Sequence, residues 1–415
     1  MRVAMIGLGK LGLPVSCAMV QKGHEVFGFD TDASLREQYR AGACGLYEPD
    51  MEAVLTERIS SGRFHIYDSL YQTVTNAEII FIAVPTPSLE SGAFDNSIVA
   101  GALKDIADCL AVLDPPDYRV VSVISTVLPG TVRREFLPVL EAVLGPPGDR
   151  YGLCYNAQFI AMGTVIENML HPEFVLVGEY DEQSGDVLEA FYTQLTDAPI
   201  LRMSIESAET VKVCYNTYIG FKIVIANAIM EVCDKVEHAD ATVAAEALKK
   251  ATDRIVSARY MDGGLGDGGG CHPRDARALS YLANQLNLSY DPFGSLMSAR
   301  DSQSRYLASV VAEEHERTGL PIAVLGLTFK PETNLTEDSP ALLLIDHVRE
   351  LGLGCDTYDP IIRPEPLRKK PYVYVLAMRH AELRHFKFHP GSVVVDPWRM
   401  LDAAPSGCEL RSIGR

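Results

Sequence analysis

Short β-branched apolar runs alternate with longer amphipathic stretches over the first 200 residues. Val3–Ile6, Glu25–Asp30, Ile79–Val84, Val120–Ser125 and Phe174–Val177 read as strands, and the segments between them carry helical spacing. That alternation predicts a mostly parallel sheet covered on both faces, the doubly wound arrangement. Between Ser204 and Ala299 the strand pattern stops. Ser207 to Val236 reads instead as one helix, ~45 Å long at 1.5 Å per residue, opened by Ser204 or Ser207. A helix of that length exceeds what one small domain covers, so it is expected to be a connector that also forms a dimer seam; the plainer alternative is a buried core helix. Its interior Gly220 and Asn227 weaken the helical pattern. After residue 320 the alternation returns with Ile322–Gly326, a helix from Ser339 to Leu351, Asp356–Tyr358, Val373–Ala377 and Val393–Val395.

The predicted class is therefore α/β: two Rossmann-like doubly wound domains joined by a long central helix and a small all-α domain. Boundaries are expected at 1–203, 204–300 and 301–415. The longest apolar stretch in the middle, Tyr218 to Met230, is broken by Lys222 and Asn227 and falls short of the ~20 apolar residues a membrane span needs, so no membrane partner is expected.

Composition narrows the class further. The 415 residues are 47% hydrophobic and 22% charged, a globular balance that excludes global disorder. A formal charge of −18 repels nucleic-acid backbones, yet a few local Lys or Arg can still draw an anionic small substrate into a cleft. The 9 cysteines are odd in number, scattered and set mostly in apolar runs, which is reduced, cytoplasmic usage. No export signal is read at the start, where Met1 runs directly into a strand pattern.

Three groups of residues carry chemistry. Gly7-Leu8-Gly9-Lys10-Leu11-Gly12 follows a predicted strand, opens a helix and is succeeded by Asp30 at the end of the next strand. Glycines there allow a tight turn and close backbone approach to a pyrophosphate at a helix N-terminus, and the acid accepts hydrogen bonds from a ribose 2′-hydroxyl. Asp30 would repel a 2′-phosphate, so the expected cofactor is NAD; the alternative is a tight turn with no ligand. The second group is Cys271, set in Gly268-Gly269-Gly270-Cys271-His272-Pro273-Arg274-Asp275, where three glycines clear one flank of the thiol. An accessible, activatable thiol is implied, against the alternative of one more inert cysteine. The third is Lys212 with Asn216, which spacing of four puts on one helix face. Alone that pair is a solvated face; looking onto Cys271 it would stabilise an oxyanion.

These three groups in this order are joined by Gly23-His24-Glu25-Val26, Tyr47-Glu48-Pro49, Val84-Pro85-Thr86-Pro87, Ser125-Thr126-Val127 and Asp253-Arg254-Ile255. Gly326-Leu327-Thr328-Phe329-Lys330-Pro331, Ser339-Pro340 and Tyr358-Asp359-Pro360 follow in turn. Along nearly its whole length the chain thus resembles the UDP-glucose/GDP-mannose dehydrogenase family. The resemblance implies oxidation of a sugar CH₂OH to a carboxylate with two NAD per product, most simply UDP-glucose to UDP-glucuronate. Cys271 would be the nucleophile, passing through a thiohemiacetal and a thioester. Lys212 and Asn216 would hold the developing alkoxide, and Asp275 with Thr126 would position water or relay protons. Gly7, Gly9, Lys10, Leu11, Gly12, Asp30, Val84, Pro85, Thr86, Ser125 and Thr126 would bind the cofactor. Phe159, Lys212, Asn216, Arg254, Gly268 and Lys330 would contact the anionic nucleotide-sugar. The resemblance also implies a homodimer, with Arg254 supplied from the neighbouring subunit.

Departures from the family pattern cluster at the sugar end. Its Asn-Pro-Glu-Phe segment stands here as Asn156-Ala157-Gln158-Phe159, and a second acid shortly after is Met162. Gln158 can orient water but cannot take a proton. Losing a general base costs ~10²–10⁴-fold in the step it served, so hydrolysis is slow, passes through Asp275, or is absent. Asp267 and His272 occupy usually aromatic positions, and Gly270 stands for a serine. Asn334-Leu335-Thr336-Glu337 replaces a motif ending in arginine. Two alternatives stay open: a relative that acts on another nucleotide substrate or stops at the aldehyde, and a catalytically silent nucleotide-binding protein.

Overall fold

The structure is a computed structural model that describes residues 1–45, 51–90, 93–113, 117–160, 164–257, 263–269, 272–331 and 333–413. The chain divides into two compact units, Met1–Gly220 and Phe221–Arg415.

The first unit is built on eight strands: β1 Arg2–Ile6, β2 Glu25–Phe29, β3 Phe64–Ile66, β4 Ile79–Ile82, β5 Arg119–Val123, β6 Tyr151–Tyr155, β7 Val175–Glu179 and β8 Ile200–Ser204. Their order is β3-β2-β1-β4-β5-β6-β7-β8, parallel throughout except where β7 runs antiparallel to β6. The first six reproduce the doubly wound dinucleotide-binding order. Both faces are covered, which is why the strands read as continuous apolar runs. Val3, Met5 and Phe81 pack into one core layer, and Ala4, Ile6, Ile80 and Ile82 into the other. Helix Ser97–Ala111 closes the second layer with Val99, Leu103, Ile106 and Leu110, the spacing of one helical stripe.

Three of these strands lie outside the sequence reading, each for a physical reason. The Tyr-Gly-Leu-Cys-Tyr of β6 is poor in β-branched residues, yet all five are buried between its neighbours. β3 is only three residues long. β8 is an edge strand whose Arg202 points at Glu179, Asp186 and Glu189, so its pattern is polar.

The central helix spans Ile205–Lys235, within two residues of the expected ends, and continues through Gly220 and Asn227. Tyr218, Ile219, Phe221, Val224, Ile225 and Met230 are exposed along it. By length and composition it is long and apolar enough to cross a membrane.

In the second unit helices Ala241–Lys249, His272–Gln285 and Pro292–Thr318 precede a second sheet. Helix Pro292–Thr318 runs straight through the expected 300/301 boundary. Its limits follow from local chemistry: Asp291 accepts from the N–H groups of Phe293 and Gly294, Pro292 occupies the first turn, and Gly319 closes the end at φ 70°. The sheet contains β9 Ile322–Leu325, β10 Cys355–Tyr358, β11 Val373–Leu376, β12 Val393–Asp396 and β13 Glu409–Ser412. All are parallel, in the order β10-β9-β11-β12-β13, the other common doubly wound order. Leu307 and Val311 of helix Pro292–Thr318 and Leu344 of helix Pro340–Glu350 bury against Val324 and Val375. Each such side chain stabilises by roughly 1.5–3 kcal/mol relative to exposure.

Candidate active site

In the first unit the loops at the carboxyl ends of β1, β2, β4, β5 and β6 enclose a cleft of about 990 Å³. Gly7, Gly9, Lys10, Leu11, Asp30, Thr31, Val84, Pro85, Thr86, Ser125, Thr126, Gln158, Ile160 and Lys212 line it. It opens where the strand order reverses, the place at which doubly wound sheets bind ligands.

The three fingerprint glycines are required for different reasons. Gly7 turns at φ +92°, and a Cβ there would lie 2.8 Å from the Ala83 carbonyl oxygen. A Cβ on Gly12 would overlap the Gly7 carbonyl outright, so helix Gly12–Gln21 can start against the strand only with glycine at that position. Gly9 faces open space, with no heavy atom within 4 Å of where its Cβ would be. No side chain caps this helix at its N-cap, Leu11, which leaves its first N–H groups and the positive end of its dipole for an anion. Asp30 is fixed at the rim by accepting from Leu8 N (2.8 Å) and Asp32 N (3.0 Å). A pyrophosphate over Gly9 and a ribose diol at Asp30 fit this cradle. The loops after β4 and β5 are tied by Ser125 Oγ donating to Val84 O (2.6 Å) and Thr86 Oγ1 donating to Thr126 O (2.8 Å).

Beyond β6 the cleft meets Gln158 and Lys212. Asn156 is buried, with its N–H on Val123 O and its amide nitrogen on Leu176 O. Gln158 Nε2 donates to Asn156 O (3.0 Å), Asn156 Oδ1 (3.0 Å) and the Tyr192 hydroxyl (2.9 Å), and Tyr192 in turn donates to Asn156 Oδ1. Burial pushes the Tyr192 phenol above its usual range, so it remains a neutral donor. The amide at 158 is thus built into a donor–acceptor cluster in which a carboxylate would face two acceptors.

Lys212 does not sit on a solvated face. It is 8% exposed, its Nζ donates to Gln158 O (2.7 Å) and lies 4.9 Å over the Phe159 ring. Phe159 packs edge-on to Tyr215 and tilted against Phe174. Burial lowers the Lys212 ammonium below the ordinary lysine range. Asn216, one turn on, is exposed. Glu209 also goes unrecognised in the sequence: fully buried, it accepts from Gly130 N and from Val132 N (2.8 Å). That fixes the start of the central helix, and Lys212 with it, to the segment after Thr126. Burial raises the Glu209 carboxyl, opposed by these N–H groups.

The second unit holds the remaining candidates. Gly326 turns at φ +87° after β9. Asp359 Oδ2 accepts from Leu327 N (2.6 Å) and Thr328 N (3.2 Å), and its Oδ1 from Ile361 N (2.9 Å) and Ile362 N (3.1 Å). Burial would raise this carboxyl, but the N–H groups hold it below its usual range. Thr328 Oγ1 donates to Lys330 O (3.0 Å) and meets His380 Nε2 at 2.9 Å. The loop carrying Lys330 is thereby anchored at the switch point between β9 and β11. Gly268 lies against Pro340 and Phe329, and Gly269, at φ +84°, against the Phe329 ring. The Asp267 carboxylate is paired with Arg300 at 3.0 Å. Arg254 is exposed, and its carbonyl accepts from Ser257 Oγ at 2.9 Å. Cys271, Gly270, Met162 and the Tyr47-Glu48-Pro49 motif lie outside the described residues, as do the side chains of His272 and Asp275.

The fold and the first-unit cleft define a dinucleotide-binding protein. Comparison with known proteins specifies which kind. Residues 1–196 match the NAD binding domain, 206–301 the central domain and 323–385 the UDP binding domain of the UDP-glucose/GDP-mannose dehydrogenase family. A GDP-mannose 6-dehydrogenase of Pseudomonas aeruginosa is 31% identical over 86% of this chain and 81% of its own. A UDP-glucose 6-dehydrogenase of Bacillus subtilis is 28% identical over 87% and 80%. Among solved structures, a ternary complex of GDP-mannose dehydrogenase from Pseudomonas aeruginosa superposes with a TM-score of 0.89 at 27% identity, covering 99% of both chains. The chain belongs to the UDP-glucose/GDP-mannose dehydrogenase family and is an NAD-dependent dehydrogenase of the nucleotide-sugar type.

Proposed function

We propose that the chain oxidises the C6 alcohol of a nucleotide-sugar to the carboxylate, with GDP-mannose as its substrate. The observation that carries this reading is that one cleft holds the glycine cradle, Thr126, Gln158 and the buried Lys212 together. GDP-mannose is favoured over the UDP-glucose expected from sequence by the higher identity to the GDP-mannose 6-dehydrogenase, 31% against 28% for the Bacillus subtilis UDP-glucose 6-dehydrogenase. UDP-glucose is the second reading, favoured by the match to a domain described as UDP binding.

The balance is RCH₂OH + 2 NAD⁺ + H₂O giving RCOO⁻ + 2 NADH + 3 H⁺. Bound NAD supplies the hydride acceptor. Gly7, Gly9 and Gly12 with the helix N-terminus would hold its pyrophosphate, Asp30 its ribose, and the Val84-Pro85-Thr86 and Ser125-Thr126 segments, with Lys10 and Leu11, the rest of it. The Cys271 thiolate adds to the aldehyde carbon to form a thiohemiacetal, whose oxidation gives a thioester; water adds at that carbonyl and the C–S bond breaks, returning the thiol. Lys212 and Asn216 stabilise the oxyanion at each stage. Gln158 holds water without taking its proton, which leaves Asp275 or Thr126 to relay it. Phe159, Arg254, Gly268 and Lys330 contact the sugar diphosphate, whose charge the two cations balance.

The same reading assigns cofactor binding to 1–203, the dimer seam and thiol to 204–300, and the nucleotide to 301–415. It buries the exposed apolar side chains of the central helix in a homodimer rather than in a membrane, and makes the protein a cytoplasmic enzyme without nucleic-acid partners.

Initial rates of NADH formation with GDP-mannose, UDP-glucose and UDP-N-acetylmannosamine test the assignment. The expected result is kcat/KM for GDP-mannose at least about tenfold above the others, a gap that a few base-edge hydrogen bonds supply. Preference for UDP-glucose would establish the second reading, and no turnover of any would overturn both.

A further inference from the structure

The residues on either side of Cys271 are tied to one two-residue turn, Glu337–Asp338, by a set of contacts that the assigned chemistry does not use. On the N-terminal side, Gly269 N donates to Glu337 O at 2.9 Å. Arg300, on helix Pro292–Thr318, reaches the same place: its Nε donates to Asp267 Oδ1 (3.0 Å) and Asp267 O (3.2 Å), and one terminal nitrogen to Asp267 O (3.0 Å) and Asp338 O (2.7 Å). On the C-terminal side, helix His272–Gln285 begins directly after the cysteine and carries Arg277. Its guanidinium grips the Asp338 carboxylate with two bonds, of 3.1 and 2.6 Å.

Asp338 is itself held at φ +48°, a region costly for a residue with a side chain and sustained only where its surroundings over-determine it. The Arg300 side chain is only 10% exposed. A guanidinium so far out of water destabilises unless its donors are satisfied, and here they are satisfied largely by backbone carbonyls of the two segments being joined. Gly268 and Gly269 complete the seat, because a Cβ on either would strike Phe329, beside Lys330.

We propose that Arg300 is a positioning residue that seats residues 267–269, which lead into Cys271 along the chain, on the Lys330 loop. The proposal rests on the reading of Cys271 as nucleophile.

The test uses the full-length enzyme with its preferred nucleotide-sugar and NAD. Arg300→Met, Arg300→Lys and Asp267→Asn are compared for kcat, KM for NAD, and the rate at which iodoacetamide labels Cys271, read by peptide mass spectrometry. Misplacing a reacting group by about 1 Å costs on the order of 100-fold, so Arg300→Met is expected to lower kcat about 100-fold. KM for NAD should stay within about twofold, because the glycine cradle belongs to the first unit, and labelling should remain a single exponential at an altered rate. A misfolded fraction would give two labelling phases instead.

Arg300→Lys should recover part of kcat, since an ammonium can hold the Asp267 carboxylate but cannot span both carbonyls. Asp267→Asn, which leaves the carbonyl contacts in place, should cost less than about tenfold and supplies the measurement if Arg300→Met does not fold. Wild-type kcat and labelling rate in Arg300→Met, or no loss in Asp267→Asn together with full activity in Arg300→Lys, would overturn the positioning role. The nucleophile reading fails separately: Cys271→Ser would then turn over like the wild type.

Discussion

Gly9→Ala separates cofactor binding from folding more cleanly than any other substitution at the fingerprint. Nothing lies within 4 Å of the added methyl, so the free protein tolerates it, and the loss of backbone freedom in the unfolded chain should stabilise by about 0.4–1 kcal/mol. The open space is where the proposed binding mode brings the pyrophosphate against the backbone. Displacing it breaks at least one charge-assisted N–H bond, worth about 1.5–3 kcal/mol, which is about a 10- to 150-fold rise in Kd for NAD at 1.4 kcal/mol per tenfold. Gly12→Ala is the converse, since its methyl overlaps the Gly7 carbonyl; overpacking of that kind costs about 1–3 kcal/mol or more before any ligand is added. Thermal unfolding without NAD and titration calorimetry with it read the two effects apart. NAD affinity within about threefold of wild type in Gly9→Ala, or wild-type Tm in Gly12→Ala, would refute this account of the cradle.

Other consequences follow from the same contacts. Gln158→Glu should destabilise by about 1–3 kcal/mol and fail to raise the rate, because a carboxylate would face Asn156 O and Oδ1; denaturant unfolding and kcat measure both, and a faster, equally stable variant would contradict it. Lys212→Met should lower kcat about 10²–10³-fold with NAD affinity retained, and the alkaline limb of the wild-type profile should fall below the ordinary lysine range because burial lowers that group. Burial lowers His24 from 6.5 to about 4, so between those pH values the unfolded chain binds a proton that the folded one does not. Stability should therefore drop as pH falls through that window, by at most about 3 kcal/mol, and His24→Leu should flatten the slope.

What the sequence made legible was what local pattern encodes. The glycine spacing, Asp30, and the apolar strands of both sheets follow from backbone sterics and burial period, and each is visible in a few consecutive residues. Strand β6 was not, because its Tyr, Gly and Cys gain their strand state from neighbours on both sides. Glu209, Tyr192 and Arg300 were equally hidden: each lies on a helix at an unremarkable position, and its role comes from a partner 79, 34 or 33 residues away in the chain. Asp267 shows the limit most plainly. Its charge was legible, but the direction it points is set by an arginine on helix Pro292–Thr318.

The most direct test of the central claim is the amount of NADH formed per mole of limiting GDP-mannose, or of UDP-glucose if that is the preferred substrate, with the product identified by mass spectrometry. The account predicts two NADH per sugar and a uronic acid product, with Gln158 in place. One NADH per sugar with an aldehyde product, or with an acyl adduct retained on Cys271, would contradict it.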